Sequence, residues 1–353
     1  MMRVLVIGGG AIGSMLSVKL ASTGQEITIA ERSPLAATLA EQGLRLVEND
    51  GGVKSERVDV ATSITAALMN GRTFDLALVA VKAYHTASVA QELQEVNQPA
   101  MPVLTVQNGV GNEELLAEHL PKTPILSGAL TTPVEVLGPG HVKVARSSYR
   151  FGLAPGPRSS SVADIAAMLT NAGFKAQIFS DYRALKWSKL LMNMLANAQS
   201  AILGYTPAEI FARPELGDLE VLAWREAMAV MQALGVPSVA LGGYPLPLIT
   251  PLVRRLPLAI IRPILARFIV GGRGSKMPSF YYDLHPQRRS HSEVGWLNGA
   301  VAQHGARLGV PTPVNATFNR ILQDLISGRT EPAAWAGQPK KLLAAINETP
   351  RQR

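Results

Sequence analysis

Through the first half of the chain, short apolar runs alternate with stretches whose apolar positions recur at helical spacing. Residues 3–7 (RVLVI) have no polar interruption after Arg3, the pattern of a strand buried on both faces. Residues 11–23 read as a helix stopped by Gly24, and 26–30 as a second strand. Runs at 76–81 (LALVAV) and 103–106 predict further strands, with helical spacing at 86–96 and 113–119. Thr, Val, Gly and Pro in short alternating pieces over 128–151 predict late strands closing the same sheet, followed by a helix at 162–171 and a strand at 175–179. Strands and helices in alternation predict an α/β fold with a doubly wound, Rossmann-type parallel sheet.

Near residue 180 the texture changes. Residues 181–203 keep one helical pattern without internal glycine or proline and stop at Gly204. Beyond it the chain reads as helices with proline-rich interruptions, so the expected division is 1–180, an all-helical C-terminal domain at 181–345, and a polar tail at 346–353. Residues 227–253 carry no charge and are long enough to span a bilayer, but Gly235, Pro237, Gly242, Gly243, Pro245, Pro247 and Pro251 break any helix there, so a membrane role is not expected.

Composition narrows the chemistry. Hydrophobic residues make up 47% of the chain and charged residues 17%, which favours a folded globular protein. With no cysteine, thiolate catalysis, thiolate metal sites and disulfides are excluded. The six histidines show no ligand spacing, so no metal is expected. The net charge of +8 suits an anionic ligand, whereas scattered cations and 5% aromatics give no nucleic-acid signature. The N-terminal MMRVLVIGGG reads as a strand entering a loop rather than a signal peptide, so a cytoplasmic location is expected.

That loop carries the first candidate site. Gly8, Gly10 and Gly13 form G-x-G-x-x-G between a strand and a helix, the context that makes the pattern specific for a dinucleotide. The first glycine permits the tight turn, the second the approach of a pyrophosphate, and the third close helix packing; the amides around Ala11 and Ile12 would face the phosphates. After the second strand stand Glu31, suited to a ribose hydroxyl, and Arg32, suited to the 2′-phosphate of NADP(H). Lys82, after the 76–81 strand, adds a cation, and together these favour NADP(H).

A second set lies on the 181–203 helix, where Lys189, Asn193 and Asn197 recur every fourth residue and would line one face of an otherwise apolar helix. Such polar groups need a ligand or a neighbouring loop as partner. Glu293 closes the pattern S-x-x-E from Ser290, which by itself reads as a helix capping box.

The pieces VIGGGAIGS, VKAYH, QNGVGNEE, KWSKLLMNMLANAQSAILG, SKMPSFYYDL, SEVGWLNG and GVPTPVN, in this order, resemble the ketopantoate reductase family from Met2 to about Leu325. The resemblance implies reduction of the ketone of 2-dehydropantoate (ketopantoate) to pantoate by NADPH, a step towards pantothenate and coenzyme A. It implies that Lys189 is the catalytic lysine and Glu293 an active-site glutamate. Asn108, Asn193, Asn197 and Ser279 would hold substrate or lie beside it, with Asn108 also near the cofactor, and Arg32 and Lys82 would flank the 2′-phosphate. Two stretches depart from the family pattern: 237–273 is longer and richer in proline and arginine, and 283–293 is extended. Either could reshape the pocket for another 2-oxo acid or build a homodimer contact. A non-catalytic NADPH-binding or membrane-associated protein on the same scaffold is the remaining alternative.

Overall fold

A computed structural model describes residues 1–32, 34–96, 101–146, 148–159, 161–273, 276–286 and 288–349. The chain divides into two compact units, Met1–Lys186 and Trp187–Arg353.

The first unit opens with β1 (Arg3–Ile7), α1 (Ala11–Ala21), β2 (Glu26–Ala30), α2 (Leu35–Gln42), β3 (Leu44–Val47), β4 (Val53–Glu56), β5 (Asp59–Ala61) and α3 (Ile64–Leu68). It continues with β6 (Leu76–Val79), α4 (Thr86–Val96), β7 (Val103–Thr105), α5 (Asn112–His119), β8 (Ile125–Leu130), β9 (Val134–Gly138) and β10 (His141–Val144). Then follow β11 (Tyr149–Pro155), α6 (Ala163–Asn171), β12 (Phe174–Ile178) and the start of α7 (Tyr182–Met194).

Eight strands form the main sheet in the order β12-β11-β8-β7-β6-β1-β2-β5. From β5 to β8 every pairing is parallel; β11 runs antiparallel to β8 and parallel to β12. The alternation along β1 shows why both faces are covered. Val4 and Val6 join a core with Leu16, Leu20 and Leu78, while Leu5 and Ile7 join another with Val79, Val89 and Leu93. The chain leaves β1 towards β2 on one side and returns at β6 on the other, so the crevice at the carboxyl ends of β1 and β6 is the switch point where such sheets bind ligands.

Of the strands expected over 128–151, only β8 and β11 close the main sheet. β9 and β10 instead join β3 and β4 in a separate four-stranded sheet, β4-β3-β10-β9. Their register explains the diversion: β10 lies parallel to β3 through His141, Val142 and Lys143, burying Val142 and Val144 beside Leu44 and Leu46.

The second unit takes the rest of α7, then α8 (Asn197–Leu203), α9 (Pro207–Phe211), α10 (Pro214–Ala233), α11 (Leu246–Arg255), α12 (Leu258–Arg273) and α13 (Tyr281–Leu284). A 3-10 turn (Glu293–Trp296) leads into α14 (Asn298–Leu308), α15 (Pro313–Ile326) and α16 (Pro339–Asn347). The unit is all-helical among its described residues, built around α10. No helix among the described residues is long and apolar enough to cross a membrane. The expected polar tail begins inside α16, where Ile346 is buried; residues 350–353 lie outside the described residues.

The single helix expected over 181–203 is two helices. Ala196 adopts φ +56°, a left-handed conformation that ends α7 and starts α8. Its amide donates to Glu220 Oε2 at 2.7 Å, and Gln199 Nε2 donates to Glu220 Oε1 at 2.6 Å. A buried carboxylate from α10 therefore satisfies groups at the break.

Candidate active site

The glycine turn follows β1 directly. Gly8 has φ +103°, and a Cβ there would lie 2.8 Å from Val81 Cγ1 and 3.0 Å from the Val81 amide nitrogen. At Gly13 a Cβ would lie 1.8 Å from the Gly8 carbonyl oxygen, so α1 packs against the turn as only glycine allows. Gly10 is different: a Cβ there would meet nothing within 4 Å. The space beside its amide is open, at the N-terminus of an eleven-residue helix that begins Ala11–Ile12. That is the cradle a pyrophosphate requires, and these residues fit a dinucleotide.

Glu31 has a role the sequence left ambiguous. Its Oε2 accepts from Gly9 N and its Oε1 from Arg32 N, each at 2.7 Å. The carboxylate thus ties the glycine turn to the end of β2, while the Arg32 side chain is exposed beside it. Lys82 is half-buried and stands at the N-terminus of the turn after β6.

Asn108 follows β7 on a loop fixed from several sides. Gln107 Nε2 donates to Thr86 Oγ1 at 2.9 Å, Thr105 Oγ1 donates to Gln107 Oε1 at 2.9 Å, and Asn112 Nδ2 donates to the Asn108 carbonyl at 3.2 Å. Beneath it lies a buried ion pair that sequence reasoning missed. Lys186 Nζ donates to the Gln107 carbonyl at 2.6 Å and sits 3.2 Å from Glu113 Oε1, which also accepts from Ser127 Oγ at 2.6 Å. Burial pushes the Glu113 carboxyl up, with the Lys186 ammonium pulling against it. The pair joins residues from α5 and α7, far apart in sequence, and no spacing rule could have linked them.

In the second unit Lys189 and Asn193 lie one turn apart on α7, both half-buried. Asn197 does not extend their face along one helix; it opens α8, beyond the break at Ala196. A hydrogen bond nevertheless spans the break, from Asn197 Nδ2 to the Asn193 carbonyl at 3.1 Å. The same amide nitrogen reaches Ser279 Oγ at 3.1 Å, and Asn197 Oδ1 accepts from Phe280 N at 2.9 Å. Asn197 is therefore buried and oriented, with Ser279 exposed at its edge.

Glu293 is also buried, at the start of the 3-10 turn. The capping box read from Ser290 is not how this turn is capped. Ser292 is the N-cap, its Oγ accepting from Val294 N at 3.3 Å and donating to Asp283 Oδ2 at 2.8 Å. Ser290 Oγ instead pairs with His291 Nδ1 at 2.8 Å.

Gly8, Gly10, Ala11, Ile12, Gly13, Arg32, Lys82 and Asn108 all stand at the carboxyl ends of β1, β2, β6 and β7, around the switch point of the sheet. Asn193, Asn197 and Ser279 are joined by hydrogen bonds, with Lys189 one turn away. Among the described residues no group of three or more His, Cys, Asp or Glu is placed to hold a metal.

Residues 4–156 match the family model described as ketopantoate reductase PanE/ApbA, and residues 181–325 match that of its C-terminal part. The chain is 31% identical over 327 residues to the 2-dehydropantoate 2-reductase of Halobacterium salinarum, covering 92% of this chain and 98% of that protein. Its fold is similar to the crystal structure of a PanE/ApbA family ketopantoate reductase from Ralstonia eutropha JMP134, with a TM-score of 0.77, 25% identity, and 93% and 99% of the two chains covered. D-mandelate dehydrogenase, solved with NADH and anilino(oxo)acetate, shares the fold at a TM-score of 0.77 and 21% identity, over 93% of this chain and 99% of that one.

Proposed function

The chain belongs to the ketopantoate reductase family, and we propose that it reduces the ketone of 2-dehydropantoate to pantoate with NADPH. The observation that carries the reading is the set Lys189, Asn193 and Asn197 on α7 and α8 with Ser279 in the turn before α13, Asn197 being already oriented towards Ser279. Exposed Arg32, beside a Glu31 whose oxygens are engaged by two amides, supports the 2′-phosphate of NADPH over a free ribose hydroxyl.

Held at the glycine turn with Arg32 and Lys82 near its 2′-phosphate, NADPH would supply a hydride for the ketone carbon. The Lys189 ammonium would stabilise the charge that builds on the ketone oxygen and donate the proton that makes it a hydroxyl. Lys189 is left neutral and regains a proton from solvent. Asn193 and Ser279 are neutral groups suited to the substrate carboxylate, and Asn197, whose amide hydrogens go to the Asn193 carbonyl and Ser279 Oγ, would hold them in place. Glu293 would orient Lys189 and accept a hydrogen bond from a substrate hydroxyl. Asn108, on its fixed loop, would position substrate and nicotinamide.

The reading takes a small 2-oxo acid as substrate and a cytoplasmic setting, with a homodimer as the assembly to be measured by sedimentation. The test is a panel of 2-oxo acids assayed with NADPH and NADH. 2-Dehydropantoate with NADPH should give the highest kcat/KM. Another 2-oxo acid better by about tenfold or more would reassign the substrate, and no turnover with any of them would refute a reductase.

A further inference from the structure

From residue 227 to residue 282 the chain has no aspartate or glutamate, yet it holds Arg254, Arg255, Arg262, Arg267, Arg273 and Lys276. Most of the protein's excess positive charge is concentrated there. This stretch builds α11 and α12.

Both helices are held firmly by their inner faces. Val253, Ile261 and Leu265 are buried. Arg225 on α10 donates from Nε to the Val253 carbonyl at 2.8 Å and from Nη2 to the Leu256 carbonyl, closing the end of α11. Arg262 pairs with Asp218 of α10 at 2.8 Å.

The outer faces repeat one another. On α11, Leu248, Pro251, Leu252 and Arg255 are exposed; on α12, at a constant offset, Ile260, Pro263, Ile264 and Arg267 are exposed. Each set falls at positions i, i+3, i+4 and i+7, one helix face. The aliphatic side chains are far from buried, at 72% for Leu248, 49% for Leu252, 50% for Ile260 and 40% for Ile264. Arg255 and Arg267 form no ion pair among the described residues. Beside the first set lies a cavity of about 250 Å³ lined by Thr250, Pro251, Arg254 and Arg255, where the Thr250 hydroxyl pairs with Ser238 Oγ and Arg254 donates to Gln232 Oε1, and the two guanidinium groups make the lining cationic.

Each helix presents the same aliphatic-proline-aliphatic-arginine face, a composition that suits an occupant apolar in depth and anionic at its surface. A second copy of this chain would set arginines against arginines, because the segment brings no acid of its own. A bilayer with anionic phospholipids supplies both features: aliphatic side chains enter the acyl boundary while arginines stay among the headgroups. Since neither helix can span, the contact is with the surface alone. We propose that α11 and α12 form a docking face for a membrane surface rich in anionic phospholipids, a property separate from the reductase site.

The test is co-sedimentation of the full chain with vesicles of phosphatidylcholine alone or with about a third phosphatidylglycerol. Binding is expected only with phosphatidylglycerol, with release at about 0.5 M salt. Arg255→Gln with Arg267→Gln should weaken partitioning about 30-fold, at roughly fivefold per arginine. Leu252→Ser with Ile264→Ser should weaken it further, and both double variants should keep wild-type melting and NADPH oxidation. Equal binding to both vesicle types, no binding to either, or unchanged binding by the variants would overturn the proposal. So would conversion of a dimer to a monomer by the same substitutions, which makes the face a contact between copies. Full displacement by millimolar inorganic phosphate would assign the arginines to a free anion and also sink it.

Discussion

Two glycines of one turn should fail in opposite ways when substituted, and the contrast tests the cofactor site. Gly10 has φ −71° and ψ −165°, an ordinary extended backbone that any residue adopts, and a Cβ there meets nothing within 4 Å. Gly10→Val should therefore fold normally, with a stability change within about 0.5 kcal/mol. The new methyl groups would stand where a pyrophosphate must approach the turn amides. Losing even two charge-assisted hydrogen bonds, at about 1.5–3 kcal/mol each, weakens NADPH binding by about 100-fold or more. Gly13→Ala inverts the outcome. Its Cβ would lie 1.8 Å from the Gly8 carbonyl oxygen, and no rotamer can relieve a clash between two backbone-bound atoms. The helix or the turn must move by about 1 Å, at a cost of about 3 kcal/mol, which lowers Tm by about 6–12 °C. Fluorescence titration with NADPH beside thermal melts separates the two effects. Near-normal NADPH affinity in a Gly10→Val protein that melts like the wild type would refute the cradle, and a Gly13→Ala protein of wild-type stability would refute the packing argument.

Lys189→Ala should lower kcat by at least ~100-fold with little change in NADPH affinity, as measured by stopped-flow turnover and titration; retention of most turnover would overturn its role as acid. Arg32→Ala should raise KM for NADPH by about 10- to 100-fold and leave KM for NADH nearly unchanged, and a wild-type preference for NADH would contradict the 2′-phosphate assignment. Glu226, which accepts hydrogen bonds from Val314 N and Asn315 N at 2.9 Å, has its carboxyl pushed up to about 7 by burial. The folded state then binds more protons than the unfolded chain between the ordinary carboxylate range and about pH 7, so stability should fall as pH rises through that window. Glu226→Gln should flatten this slope in melts taken across it, and an unchanged slope would show that Glu226 is not its source.

What was legible in the sequence was local. The turn at Gly8, Gly10 and Gly13 could be read because each glycine answers to backbone geometry within the same few residues, and the strands around it because they are buried on both faces. β4 gave no such signal: Val53–Glu56 is largely exposed and has no apolar alternation. The pairing of β3 with β10 and of Lys186 with Glu113 depends on residues far apart in the chain, as does the break at Ala196. Nothing in 181–203 forbids a continuous helix; it is Glu220 that draws in the Ala196 amide and the Gln199 side chain. Glu220 thus holds the break directly before Asn197, whose side-chain amide spans Asn193, Ser279 and Phe280. Glu220→Ala leaves two buried donors without their acceptor, at about 1–3 kcal/mol each, so Tm should drop by several degrees. If the break also sets where Asn197 points, KM for the 2-oxo acid should rise in the same variant while NADPH affinity stays put. Glu220→Gln keeps one oxygen for the Ala196 amide and should recover most of the KM effect but less of the stability, because its own amide nitrogen would face the Gln199 donor. A Glu220→Ala protein with wild-type KM would leave Glu220 a purely structural acid and detach the break from substrate binding.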